Sequence, residues 1–224
     1  MKIQKLVALA TLSLCTWAAF ASGAEPSYCS LEAFKKAEIK SPIKNLERVH
    51  VYRLGDTVLA GLAIGESKAS DVIALNNAFS SADSTEYYCT WYLNKGNEQA
   101  ESSFAHYYVP HPMSVAPDEA PEIYLSTLES SFDLDEVSFL SCIEQHHYLA
   151  MGCNGQMHRG PTVFGMLLAF SGCTPDHAED IVDKVWGLNG VTRSVRRSII
   201  AKGFELGSSR PESRAKMAAA LGSH

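Results

Sequence analysis

The chain has 224 residues, an apolar fraction of 46% and a formal net charge of -6. That length suits one domain of moderate size or two small ones packed together, with a real core in either case. The acidic balance argues against nucleic acid as a partner.

The N-terminus predicts the compartment. Lys2 and Lys5 precede an uncharged apolar run from Leu6 to Phe20, and Ala19-Phe20-Ala21 and Ser22-Gly23-Ala24 offer small residues where a signal peptidase cuts. The pattern reads as a secretory signal over residues 1–24, of bacterial style, leading to the periplasm or the exterior. Its apolar core is too short to span a bilayer and no second such run follows, so no transmembrane segment is expected. Leu14-Cys15 hints at lipidation, but Leu stands where a small residue is wanted. Removing the signal leaves Cys29, Cys89, Cys142, Cys153 and Cys173. Exported thiols tend to pair, which predicts two disulfides and one leftover thiol.

In chain order, residues 30–40 read as a helix capped by Ser30, with Pro42 just beyond. Residues 48–54 and 57–64 are β-rich and joined by Gly55-Asp56, a hairpin signal with Gly at the first turn position. Residues 69–80 are helical, with Val72, Leu75 and Phe79 on one stripe. Residues 85–93 and 103–109 form a second strand pair. In the first of these strands Tyr87, Cys89, Trp91 and Leu93 share one face. Pro110, Pro112, Pro117 and Pro121 then end the sheet, and Pro121 opens a helix to about residue 131. A further helix, capped by Asp133 or Asp135, runs over 134–151 to Gly152. After the loop CNGQMHRG, Pro161 starts an apolar helix closed by Gly172. Thr174-Pro175, Thr192-Arg193 and Ser209-Arg210-Pro211 each start one more helix, which is recurring cap grammar and not a repeat family. The fold class is therefore α+β: a strand-rich half with two β-hairpins and helices over 25–116, packed on an all-helical half over 117–224.

If the helices over 134–151 and 161–171 are antiparallel neighbours, Cys142 and Cys173 come to similar heights, about 14 and 18 Å from the connecting loop. This predicts Cys142–Cys173, with Cys29–Cys89 tying the first helix to the sheet and Cys153 unpaired. A steep crossing would instead permit Cys153–Cys173 or Cys142–Cys153.

Four constellations bear on function. Cys153 with His158, and His146 or His147 nearby, is a candidate thiol and base, oriented by Asp176 or Asn154. The plainer reading is a quiet thiol, because a helix end disfavours a thiolate. Cys142, His146, Cys153, His158 and His177 offer metal ligands, but no HExxH or CxxC pattern supports them, so neither a metal nor another cofactor is expected. Tyr88, Tyr92 and Tyr108, with Phe104 and His106, can line one sheet face and stack on a ligand; ordinary cross-strand packing is the plainer reading. Finally, no Lys or Arg occurs from Gly96 to His158, a stretch that holds Asp133, Asp135 and Glu136, while eight Lys/Arg face four Asp/Glu from Asp180 on. That acidic middle suits a cationic exported protein partner. With no established catalytic motif, the sequence favours a non-catalytic interaction protein of inhibitor, immunity or assembly type. The alternative is a small Cys/His-dependent hydrolase or transferase acting on the cell envelope.

Overall fold

A computed structural model gives the fold and describes residues 24–43, 48–63, 69–79, 89–94, 109–112, 138–153, 155–156, 159–187 and 193–222. Its strands are β1 (Glu38–Ile39), β2 (His50–Leu54), β3 (Thr57–Ala63), β4 (Thr90–Asn94), β5 (Val109–Pro112) and β6 (Tyr148–Cys153). Its helices are α1 (Leu31–Lys36), α2 (Ala69–Phe79), α3 (Phe139–His146), α4 (Arg159–Ser171), α5 (Pro175–Trp186), α6 (Arg193–Ser209) and α7 (Pro211–Gly222). The fold is α+β, with helices dominating the C-terminal half. The helix expected over 121–131 lies outside the described residues.

Several elements form for the local reasons their sequences supply. Ser30 Oγ accepts the Ala33 N–H and starts α1. This helix ends at Lys36, earlier than expected, because Glu38 and Ile39 pair with Tyr52 and Val51 as an edge strand. Gly55 takes φ 55° and turns β2 into β3, with Leu54 opposite Thr57. Thr174 Oγ1 accepts the His177 N–H, Pro175 opens α5, and Gly187 closes it at φ 60°.

The six strands form one sheet in the order β1-β2-β3-β6-β4-β5. β3, β6, β4 and β5 run parallel, and β2 is antiparallel to its neighbours. The second strand pair therefore differs from a hairpin: β4 and β5 are parallel, with Tyr92 opposite Pro110. Residues 95–108 suffice for the crossover of a dozen or so residues that parallel pairing needs. Pro110 and Pro112 do not end the sheet but sit within β5, an edge strand, where a missing N–H can face outward.

The main correction concerns residues 134–151. Among the described residues of this range only Phe139–His146 is helical, and its cap is Ser138, whose Oγ accepts the Ser141 N–H while Ser141 Oγ accepts the Ser138 N–H. His147 adopts φ 50° and breaks the helix. Tyr148–Cys153 then forms a strand between β3 and β4, with all six residues buried. An apolar run buried on both faces carries no alternation to mark it as a strand; only its shortness distinguishes it from helix.

The strand registers assign the helices to faces. Leu59 and Leu149 are neighbours, as are Thr90 and Ala150, so Leu149 and Thr90 lie on opposite faces. α2 covers the Thr90 face, where Asn76 Nδ2 lies 3.5 Å from Thr90 Oγ1. The other face carries α4, α5 and α7. Tyr52 stacks on Phe34 of α1 at 4.2 Å between centroids, Phe164 of α4 meets Trp186 of α5 at 5.0 Å, and Thr57 Oγ1 donates to the Ala220 carbonyl of α7. Every residue of α4 is buried, the pattern of a helix enclosed on all sides.

Two disulfides staple these layers, paired otherwise than helix heights predict. Cys29 joins Cys173 (Cα separation 5.1 Å), and Cys89 joins Cys142 (5.6 Å). Cys142–Cys173 and Cys29–Cys89 are thus not the pairs. The height argument needs two sequential antiparallel helices, and β6 intervenes between α3 and α4. Cys153 is left as a buried free thiol. Disulfides persist in oxidising compartments. Among the described residues no helix is long and apolar enough to cross a membrane.

Candidate functional site at the carboxyl edge of the sheet

β3 and β6 are parallel neighbours, yet the helices that follow them, α2 and α4, lie on opposite faces of the sheet. In open sheets, ligand sites tend to lie at such a divergence, by the carboxyl ends of the two strands; here Ala63 and Cys153 at that edge are buried. Ala63 and Cys153 end these strands in register. Cys153 therefore does not follow a helix end, as the sequence suggests. It closes a central parallel strand and lies six positions before Arg159, the first residue of α4.

The surroundings of Cys153 are built from distant parts of the chain. Its backbone N–H donates to Oε1 of Gln156 at 3.3 Å. Gln156 is fully buried at φ 50°, a left-handed conformation uncommon outside glycine. Its amide lies between two glycines. A Cβ on Gly61 of β3 would stand 2.8 Å from Gln156 Nε2, and one on Gly160 would meet Gln156 Cδ at the same distance. Trp186 crowds the same side of Gly61, and Arg48 Nη1 donates to the Gly155 carbonyl at 2.9 Å.

Two arginines belong to these segments. Arg159 is only 4% exposed, and it adds its charge to the positive end of α4. Arg48 brings a second guanidinium onto the loop, and no Asp or Glu occurs between residues 145 and 175. Backbone N–H groups at a helix N-terminus together with guanidinium groups suit phosphate-like anions.

The remaining candidates are placed as follows. His158 and Asn154 lie outside the described residues, as do Tyr88, Tyr108, Asp133, Asp135 and Glu136. Tyr92 is described by its backbone only, on β4 beside Gly152. His146 and His147 stand at the opposite end of β6 from Cys153, about 20 Å away at ~3.3 Å per residue, too far to act as its base. Burial, and then neighbouring His147, lowers the pKa of His146. Asp176 pairs with Arg197 and does not orient a histidine at the thiol, while His177 Nδ1 lies 2.6 Å from Glu25 Oε2. The expected metal set is dispersed, since Cys142 is in a disulfide and Cys153 is a strand-length away from His146. Glu25 does lie within 4.8 Å of the Cys29 and Cys173 sulfurs, but these are oxidised and not thiolate ligands.

Burial pushes the phenols of Tyr52 and Tyr148 well above their ordinary range; Glu38 adds to the first, and a hydrogen bond from Thr90 partly offsets the second. Neither phenol supplies an acid or base near neutral pH. Sequence reasoning missed Arg48, Gly61, Gln156 and Arg159. The available signal was that Arg159 ends a stretch of more than sixty residues without Lys or Arg, directly before a helix. The chain matches no protein-family model, no curated protein and no solved structure.

Proposed function

We propose that this is an exported thiol-dependent hydrolase of tetrahedral oxyanion esters, with phosphate monoesters of the cell envelope as the substrate class. The observation that carries the reading is the placement of Cys153. It ends the central parallel strand at the carboxyl edge of the sheet, with Arg159, the first residue of α4, six positions further along the chain. The Cys153 thiolate attacks phosphorus, an S–P bond forms as the ester P–O bond breaks, and the departing oxygen takes up a proton. Water then attacks the phosphorus, the S–P bond breaks, and phosphate and the thiolate are released. Arg159 and the α4 amides stabilise the equatorial oxygens, whose charge is held through both steps. Export is supported by the charged and apolar N-terminus and by two disulfides.

The test is hydrolysis of p-nitrophenyl phosphate by the mature chain and its Cys153→Ser and Arg159→Ala variants, alongside iodoacetate alkylation with and without inorganic phosphate. We expect Cys153→Ser to abolish turnover and Arg159→Ala to lower kcat by ~10²–10³. Phosphate should protect Cys153 from alkylation. A Cys153→Ser variant with the wild-type rate, or a thiol indifferent to phosphate, sinks the reading and returns weight to a non-catalytic interaction protein. That second reading draws on Asp133, Asp135 and Glu136. It is tested by capture of a salt-sensitive cationic partner that is lost when the three are neutralised.

A further inference from the structure

Gln156 is held in place at several local costs, and each is visible in the fold. It is not glycine, yet it takes φ 50°. Its Nε2 is buried without a hydrogen-bond partner, which is unfavourable for an amide. Gly61 and Gly160 must both lack a side chain for its amide to fit, since a Cβ at either would stand too close. Backbone and polar strain of this kind survives only where the surrounding structure fixes it, and such positions cluster at functional sites.

We propose that Gln156 is the positioning residue of the Cys153 site. This rests on the hydrolase reading above and deepens it. Oε1 of Gln156 takes the Cys153 N–H, the amide at the end of β6, and so fixes the backbone that aims the thiol. With that amide engaged sideways, the Cys153 Cα–Cβ bond is set relative to β3 on one side and α4 on the other. Nε2 remains a donor against Gly61, beside the buried Trp186 Nε1, which likewise has no hydrogen-bond partner. Both side chains lie against Gly61 of β3, and both donors favour an acceptor there. The residue therefore acts on Cys153 through the backbone, and it is not itself a nucleophile or proton donor.

The experiment compares wild type with Gln156→Met, which keeps length and apolar stem but removes the amide, and Gln156→Glu, which keeps an acceptor for the Cys153 N–H. Gly61→Ala displaces the same amide from the opposite side. Two readouts are taken: the pH profile of iodoacetamide alkylation of Cys153, and kcat and KM separately for p-nitrophenyl phosphate. Gln156→Met should move the alkylation profile and lower kcat by ~10–100-fold with KM changed far less, the signature of a misaimed group. Gln156→Glu should restore part of kcat relative to Gln156→Met, because the hydrogen bond to Cys153 survives. A Gln156→Met variant with the wild-type alkylation profile and kcat overturns the proposal. If wild type shows no turnover yet Gln156→Met still moves the alkylation profile, the hydrolase reading fails and the positioning role stands. Circular dichroism of each folded variant separates these results from unfolding, and Gly61→Ala gives an independent displacement should Gln156→Met not fold.

Discussion

Arg48 donates from Nη1 to the carbonyl of Gly155 at 2.9 Å, across 107 positions of sequence. The contact fastens the loop after β6 to the segment that leads into β2. A charge-assisted hydrogen bond in a partly buried place contributes about 1–2 kcal/mol. Arg48→Met should lower stability to urea by that amount. Because the anchored carbonyl belongs to the loop that enters α4, the same variant should weaken phosphate protection of Cys153. An unchanged urea midpoint would show that the contact contributes nothing net.

The disulfides give a prediction that does not depend on function. Peptide mapping of the unreduced chain should find Cys29 linked to Cys173 and Cys89 linked to Cys142, with Cys153 as the unpaired cysteine. In the chain-entropy account, loops of 144 and 53 residues stabilise the fold by about 5 and about 4 kcal/mol. Replacing both members of either pair by Ala should therefore be costly, more so for Cys29–Cys173. A linked peptide joining Cys29 to Cys89 would contradict the layer arrangement.

α4 and α6 pack closely because α6 presents Gly203 and Gly207 to the backbone of α4. A Cβ at Gly203 would strike the Met166 carbonyl oxygen, and one at Gly207 the Phe170 carbonyl oxygen. Alanine improves helix propensity by about 1 kcal/mol, but here it meets backbone that cannot turn aside. Gly203→Ala and Gly207→Ala should each cost about 1–3 kcal/mol net. Gly187 makes the contrast: it has φ 60° with open space around it, so Gly187→Ala should cost about 1 kcal/mol from backbone conformation alone. Thermal unfolding of the three variants checks the order.

Glu179 of α5 and Arg196 of α6 are 3% and 6% exposed at their side chains and 3.4 Å apart. Arg193 and Asp183 complete the cluster at 3.3 and 3.5 Å. Removing one member deprives a buried charge of its buried partner, leaving Arg196 with Asp183 or Glu179 with the exposed Arg193. Glu179→Gln or Arg196→Met should cost about 3–5 kcal/mol. Replacing both with Leu should be markedly milder than the sum, and a double-mutant cycle in urea measures the difference. Additive losses would show that the two charges are not coupled.

Tyr28 sits 5% exposed, with its hydroxyl 3.0 Å from Ser171 Oγ. Burial raises its pKa from 10.0 to about 12, with the Ser171 hydrogen bond and Arg214 opposing and Glu25 adding slightly. The folded state thus holds the neutral phenol more firmly than the unfolded chain does. That stabilisation is fully present below pH 10 and is lost as pH rises from 10 to about 12. Ultraviolet titration should show Tyr28, Tyr52 and Tyr148 ionising late, Tyr28 first among them, and Tyr28→Phe should lessen the alkaline fall in stability. A Tyr28→Phe curve that falls as steeply as that of the unsubstituted chain over this window would place the effect elsewhere.

What the sequence determined by itself is what short-range chemistry controls. Gly55 sets the β2–β3 turn, Ser30 and Thr174 cap their helices, and Val72 and Leu75 mark the buried stripe of α2, because each depends on residues a few positions away. The count of five cysteines after residue 24 likewise foretold two disulfides and a leftover thiol. The tertiary structure alone decided where β6 goes. Six buried residues with no polar face are compatible with helix or strand, and the choice is made by β3 and β4, which flank them on both edges. The same insertion decided the disulfide partners, turned the second strand pair parallel, and separated Cys153 from His146 and His147. It also brought Cys153 to the amide of Gln156, which lies against Gly61 and Gly160. No local pattern reports that meeting, since it depends on strand pairing and helix placement between segments far apart in the chain.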